Sequence, residues 1–189
     1  MADNPDQGGN FVANAEELAR GILAARNPQR IYLDALGPDA TRTAISEAFN
    51  RGASLLSYVG HGGIHVWAGE NIFDTRQIGT LEAQPQQPLV LTLNCLNGYF
   101  HFPHFDSLAE ALVKAPDKGA IAVFAPSGLS LNEPAAVFHR AIVAELSSQR
   151  HRTLGEALLA AQATYAASGA FPELLRIYTL FGDPGLRLR

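Results

Sequence analysis

The chain has 189 residues, 47% of them hydrophobic and 17% charged, a composition that folds as one globular domain with room for a core. Its 14 basic and 18 acidic residues leave a net charge of −4 with no cationic stripe, which argues against nucleic acid as a partner. A single cysteine, Cys95, excludes an internal disulfide and any multi-cysteine zinc site, so this residue is either core packing or chemistry.

Residues Met1 to Asn10 are polar and have neither the basic start nor the apolar centre of a secretion signal. No apolar run approaches the roughly 18 residues of a membrane span. Asp3-Asn4-Pro5-Asp6 reads as a loop that should follow a strand, so an N-terminal portion is expected to be missing. From Asn14 the early acids and helical spacing predict a helix to about Arg26, then a short strand from Arg30 to Leu33. Asp39 to Asn50 is the next helix, stopped by Gly52, and Ser54 to Val59 the next strand. After His61 a stretch rich in Gly, Gln and Pro runs to Pro88 and is expected to be loop with at most one helical turn. Leu89 to Asn94 is a strand, and Ser107 to Ala115 a helix capped by Asp106. Gly119 to Ala125 is a strand, followed by helices over Glu133 to Leu146 and over Leu154 to Ala167, the latter started by Thr153. Ile177 to Phe181 is a short apolar piece before the turn Gly182-Asp183-Pro184. Helices alternating with short two-sided apolar strands predict an α/β sandwich with a mostly parallel sheet and helices on both faces.

Two of these strands end in reactive side chains, His61 after Val59-Gly60 and Cys95 after Leu93-Asn94. In an open α/β sheet such ends face one crevice, where an imidazole can serve as base to a thiol. Gly60, Gly62 and Gly63 let the backbone turn sharply around His61, and the amides of Gly62 and Cys95 together can hold the oxyanion of a tetrahedral intermediate. The competing reading is a buried structural cysteine beside an ordinary Gly-His-Gly turn. His101 and His104 follow no zinc spacing and read as exposed loop histidines.

The segment from Ala53 to Gly63, with Trp67-Ala68-Gly69 after it, resembles the histidine motif of the gingipain-type cysteine peptidases, and Asn94-Cys95-Leu96-Asn97-Gly98-Tyr99-Phe100 resembles their nucleophile motif. Ser107 to Leu112, the strand Gly119 to Val123 and the closing Phe181-Gly182-Asp183-Pro184 fall in the same order. The resemblance spans nearly the whole chain, residues 1–189, and implies a caspase-like three-layer peptidase domain lacking its N-terminal portion. It implies a cysteine endopeptidase with Cys95 as nucleophile, His61 as general base, and Gly62 and Cys95 at the oxyanion. Family domains also carry an acid that orients the histidine, and no counterpart is legible in the sequence. Trp67, Ser127, Gly128 and Asn10 are the candidate substrate contacts, Trp67 being either pocket wall or core. No organic cofactor is implied. Structural calcium, which members of the family bind, is left open at Asp3-Asn4-Pro5-Asp6, a loop that reads better as a solvated turn. The expected partners are a peptide or protein substrate, and a missing N-terminal segment or second chain that completes the sheet. The alternatives are an inactive caspase-like module for partner binding or protein sorting, and a caspase-like processing or signalling peptidase.

Overall fold

Five consecutive apolar or β-branched residues, Leu89–Leu93, can be buried on both sides only inside a covered sheet, and all five are buried. The computed structural model, which describes residues 1–188, places them at the centre of an α/β sandwich. In chain order the elements are α1 Phe11–Arg20, a single 3₁₀ turn at Ala24–Arg26, α2 Leu33–Leu36, α3 Pro38–Asn50, β1 Leu55–Val59, β2 Gly62–Gly63, β3 Val66–Trp67, β4 Phe73–Asp74, α4 Thr75–Thr80, β5 Leu89–Leu93, α5 Leu108–Lys114, β6 Ala122–Pro126, α6 Asn132–Ser147, α7 Leu154–Ala167, α8 Leu174–Ile177 and β7 Tyr178–Phe181.

The main sheet has the order β1-β5-β6-β7, with β1, β5 and β6 parallel and β7 antiparallel at one edge. Alternate side chains feed two cores. Leu91, Leu93 and Phe124 pack with Phe138 and Leu158 of α6 and α7 on one face, while Tyr58, Val90 and Val123 pack with Phe49 and Leu112 of α3 and α5 on the other. Among the described residues no helix is long and apolar enough to cross a membrane.

Four local expectations are corrected. The stretch from Arg30 to Leu33 contributes only a bridge at Tyr32, because the chain turns straight into α2. The first helix stops at Arg20, with Gly21 at its C-cap. The segment after His61 carries more structure than one helical turn: among its turns lie a three-stranded antiparallel sheet of two-residue strands, β2-β3-β4, and α4, whose capping box joins Asp74 and Gln77. Helix α5 is capped by Ser107 rather than Asp106, which instead pairs with Lys114 at 2.6 Å.

At the other edge, Ala2 bridges Val59 and Tyr32, both in parallel. Met1 to Asp3 therefore lie alongside β1, with Val59 N donating to Met1 O at 3.2 Å and Asp3 N to Val59 O at 3.0 Å. Burial pushes the Met1 ammonium down to about 5, with the carbonyl of Ser57 as its hydrogen-bond partner at 2.7 Å.

Candidate active site

The register between β1 and β5 decides where the two reactive side chains emerge. Leu55 lies opposite Leu89 and Val59 opposite Leu93. Gly60 donates to the Leu93 carbonyl at 3.2 Å, so the pairing extends one step further. His61 and Cys95 each follow the matched pair Val59 and Leu93 by two residues, at the C-terminal rim of the sheet. The His61 side chain is 51% exposed and Cys95 is half-buried, so both groups are accessible from the rim.

The imidazole is held from two sides. Its Nε2 lies 2.8 Å from Asp6 Oδ2, while the edge of the buried Phe11 ring meets it at a centroid distance of 5.2 Å. The backbone of the same residue is clamped as well: Asp3 Oδ2 accepts from His61 N at 2.9 Å, and Tyr58 Oη donates to His61 O at 2.8 Å. The hydrogen bond to His61 is the main cause that holds the Asp6 carboxyl below its ordinary range, helped by the amide of Gly8. Asp3 behaves oppositely, since burial pushes its carboxyl up despite the backbone hydrogen bonds it accepts.

Cys95 sits on a tight turn. Leu96 adopts φ 63°, a left-handed conformation unusual for leucine, and this bend directs Leu96 N to the Gly128 carbonyl at 3.1 Å and Gly98 N to the Pro126 carbonyl at 2.9 Å. The sulfur lies against Ser130, accepting from its amide at 3.4 Å and facing its carbonyl at 3.5 Å. Among the described residues no hydrogen bond joins Cys95 to His61, and the Cys95 amide has no acceptor.

The histidine loop and the cysteine loop are fastened through one buried side chain. Asn97 is 0% exposed; its amide nitrogen donates to Gly63 O at 2.5 Å and Val66 O at 3.2 Å. Its oxygen accepts from Trp67 Nε1 at 2.7 Å and from Asn94 Nδ2 at 2.5 Å. The two loops approach closely at Gly62 too, where any Cβ would fall on the Asn94 amide and 2.9 Å from the Cys95 carbonyl.

Trp67 is corrected as a substrate contact. It is 0% exposed, stacked on Tyr58 at 4.7 Å and tilted against Phe73 at 5.0 Å, and so belongs to the core, with its indole N–H spent on Asn97. Asn10 caps α1, its side chain accepting from Ala13 N at 2.9 Å, and thereby starts the helix whose first residue packs on His61. Ser127 and Gly128 lie in the loop that holds the sulfur: Ser127 Oγ donates to Ile177 O at 2.9 Å, while the Gly128 carbonyl receives Leu96. His101 stands against the Tyr99 ring, and among the described residues no group of three or more His, Cys, Asp or Glu is placed to hold a metal ion.

The sequence reading missed Asp6 and Asp3 as partners of His61, and Asn97 as the tie between loops. The acidic pair was visible in the loop Asp3-Asn4-Pro5-Asp6, but no local pattern tells that its oxygens reach a histidine more than fifty residues away.

Comparison with known proteins agrees with this architecture. Residues 1–189 match the model of Peptidase family C25. Gingipain R2 and gingipain R1 of Porphyromonas gingivalis are each 30% identical to the chain over 165 residues, or 80% of it, but only 22% and 16% of those relatives' own lengths are covered. A crystal structure of the Arg-specific cysteine proteinase gingipain R has a TM-score of 0.83 at 25% identity and covers all of this chain and 47% of its own. A complex of the pro- and mature domains of Porphyromonas gingivalis RgpB shares the fold, with a TM-score of 0.82 at 24% identity over all of this chain and 48% of that one.

Proposed function

Because the chain belongs to peptidase family C25, the gingipain-type cysteine peptidases of caspase-like fold, we propose that it is the catalytic part of a cysteine endopeptidase. The observation that supports this reading is the parallel pairing of β1 with β5, since His61 and Cys95 each follow its last matched residues, Val59 and Leu93, by two positions, and Asp6 lies on the imidazole Nε2.

The roles follow from that geometry. Asp6 accepts the Nε2 proton, which leaves Nδ1 as the bare nitrogen that takes the thiol proton. The sulfur of Cys95 attacks the peptide carbonyl, and the amides of Cys95 and Gly62 receive the oxyanion. The C–N bond then breaks as the amine leaves with the proton from His61. Water, deprotonated by His61, hydrolyses the thioester and frees the acid and the thiol. Asp6 is a positioning residue here, and Asp3 with Tyr58 sets the backbone of the base. The groove beside β1, about 290 Å³ and lined by Tyr32, Leu55, Ser57 and His139 among others, is where an N-terminal segment or a second chain would add to the sheet.

A second reading, the inactive caspase-like module, is favoured by one observation: both hydrogen-bond partners of the sulfur belong to Ser130 and neither to His61. Mass spectrometry after incubation with a peptidyl acyloxymethyl ketone separates the two. A peptidase adds the peptidyl ketone to Cys95, and loses that labelling in both Cys95→Ala and His61→Ala. Labelling that survives His61→Ala describes a merely exposed thiol, and no labelling of the full-length protein supports the inactive module. A processing or signalling role for an active enzyme would then rest on its natural substrates.

A further inference from the structure

Surface turns ordinarily show polar side chains to water, and the turns between β5 and α5 do the reverse. From Tyr99 to Phe105 the chain reads Tyr-Phe-His-Phe-Pro-His-Phe, with no carboxylate, lysine or arginine. Phe100, Phe102 and Phe105 are 53%, 39% and 68% exposed, so three of the ten exposed large hydrophobic side chains among the described residues fall within six consecutive positions. Apolar exposure on an ordinary surface is scattered singly.

The rings pack on one another more than on the core. Ring centroids lie 3.8 Å apart for Tyr99 and His101, 5.4 Å for Phe100 and His101, and 5.8 Å for Phe102 and Phe105. Phe100 also meets Phe181 at 6.2 Å, which roots the cluster on β7. The backbone beneath is turned by hydrogen bonds from Tyr99 N to Leu96 O at 3.0 Å and from Phe102 N to Tyr99 O at 3.3 Å. The acids that follow in sequence are held at α5, Asp106 by Lys114 at 2.6 Å and Glu110 by the Ser107 amide at 2.9 Å. An ordered aromatic knob without a charged group of its own, apart from its two imidazoles, is the result.

We propose that Tyr99 to Phe105 form a peripheral docking loop that seats its phenylalanine rings in the interfacial region of a zwitterionic lipid surface. Aromatic rings favour that region, where apolar bodies and polar tips are both accommodated. A protein partner asks for more, since its interface carries about one hydrogen bond per 100–200 Å², and beside its phenylalanines and proline this segment offers only two imidazoles and a phenol. Lipid needs no such pairing. A chain of net charge −4 is repelled by anionic headgroups, so contact through an uncharged loop suits a surface without net charge. The backbone polar groups of the turns stop it from sinking into hydrocarbon, which makes the contact peripheral. It is independent of the chemistry at Cys95, although the loop starts there and docking would turn that rim of the sheet toward the membrane.

The test is flotation of the full chain with phosphatidylcholine vesicles, with the bound fraction read as a partition coefficient. Binding is expected to persist in high salt, which screens charge but not apolar contact. Phe105→Asp and Phe102→Asp should each lower the coefficient by roughly tenfold or more, the effect of returning one phenylalanine ring to water. Both side chains are exposed, so substitution leaves the fold intact. Leu159→Asp, at a 68% exposed position on α7 outside the loop, should leave binding unchanged. No flotation, flotation that both loop variants retain, or binding confined to phosphatidylglycerol vesicles and removed by salt overturns the proposal. Self-association without lipid that Phe105→Asp abolishes, seen by sedimentation, would give the patch to a second copy of the chain and overturns it as well. Failure here leaves the peptidase reading standing, since labelling of Cys95 needs no vesicle.

Discussion

Replacing Asn97 by alanine should separate the two loops of the site. The side chain is wholly buried and makes four hydrogen bonds, two as donor to Gly63 O and Val66 O and two as acceptor from Trp67 Nε1 and Asn94 Nδ2. The indole N–H of Trp67 has no other partner and no water to turn to, since Trp67 is itself 0% exposed. Each stranded buried group costs about 1–3 kcal/mol, and because the four bonds share one network their losses do not add, so the expected destabilisation is on the order of 3–5 kcal/mol. For a domain of this size that corresponds to a fall in Tm of roughly 6–20 °C by calorimetry. Asn97→Asp sharpens the test, because it keeps the acceptor for Trp67 and Asn94 but turns a second oxygen toward the Gly63 and Val66 carbonyls. It should be no more stable than the alanine variant, and both should lose His61-dependent labelling of Cys95. An alanine variant within about 1 kcal/mol of the parent, or an aspartate variant indistinguishable from it, would refute the claim that this side chain fastens the loops.

Three further outcomes are expected. His139 is buried with Nε2 2.7 Å from Ser57 Oγ, and burial pushes its pKa from 6.5 down to about 3. Below pH 6.5 the unfolded chain takes up a proton that the folded one refuses, so stability should fall as the pH drops toward 3, by up to about 1.4 kcal/mol per pH unit. Denaturant titrations at several pH values should show this slope flattened in His139→Gln, and an unchanged slope would contradict the buried neutral imidazole. Ser107→Ala removes the hydroxyl that accepts from Glu110 N and donates to Glu110 Oε2, and should cost about 1 kcal/mol in the same titration. Gly62→Ala forces a methyl against Asn94 and the Cys95 carbonyl, costing about 1–3 kcal/mol and slowing Cys95 labelling at least tenfold; wild-type labelling would mean that the loops have slack there.

The main sheet was legible because its strands are short apolar runs and its later helices keep their caps and spacing: β1, β5, α3, α6 and α7 all lie within two residues of their expected bounds. The small sheet β2-β3-β4 escaped notice because its two-residue strands are too short to show alternation, and its backbone polar groups find partners across the turns and, at Gly63 and Val66, in the distant side chain of Asn97. Arg30 to Leu33 looked like a strand because most of its residues are apolar, yet its backbone pairs only with Ala2, through a single bridge at Tyr32, before the chain turns into α2.

The residue types of the site and its place at strand ends were written in the chain: a lone thiol, a glycine-flanked imidazole, and loops without charge beside the thiol. What only the tertiary structure decided is which side chains complete it. The parallel register of β1 and β5 ends at Val59 and Leu93, two residues before His61 and Cys95, the N-terminal residues carry Asp3 back to the His61 amide and Asp6 to the imidazole, and Asn97 crosses between two loops. Periodicity reports how each segment meets its own neighbours, whereas these contacts join residues some thirty to sixty positions apart, and their partners exist only once the sheet has ordered its strands.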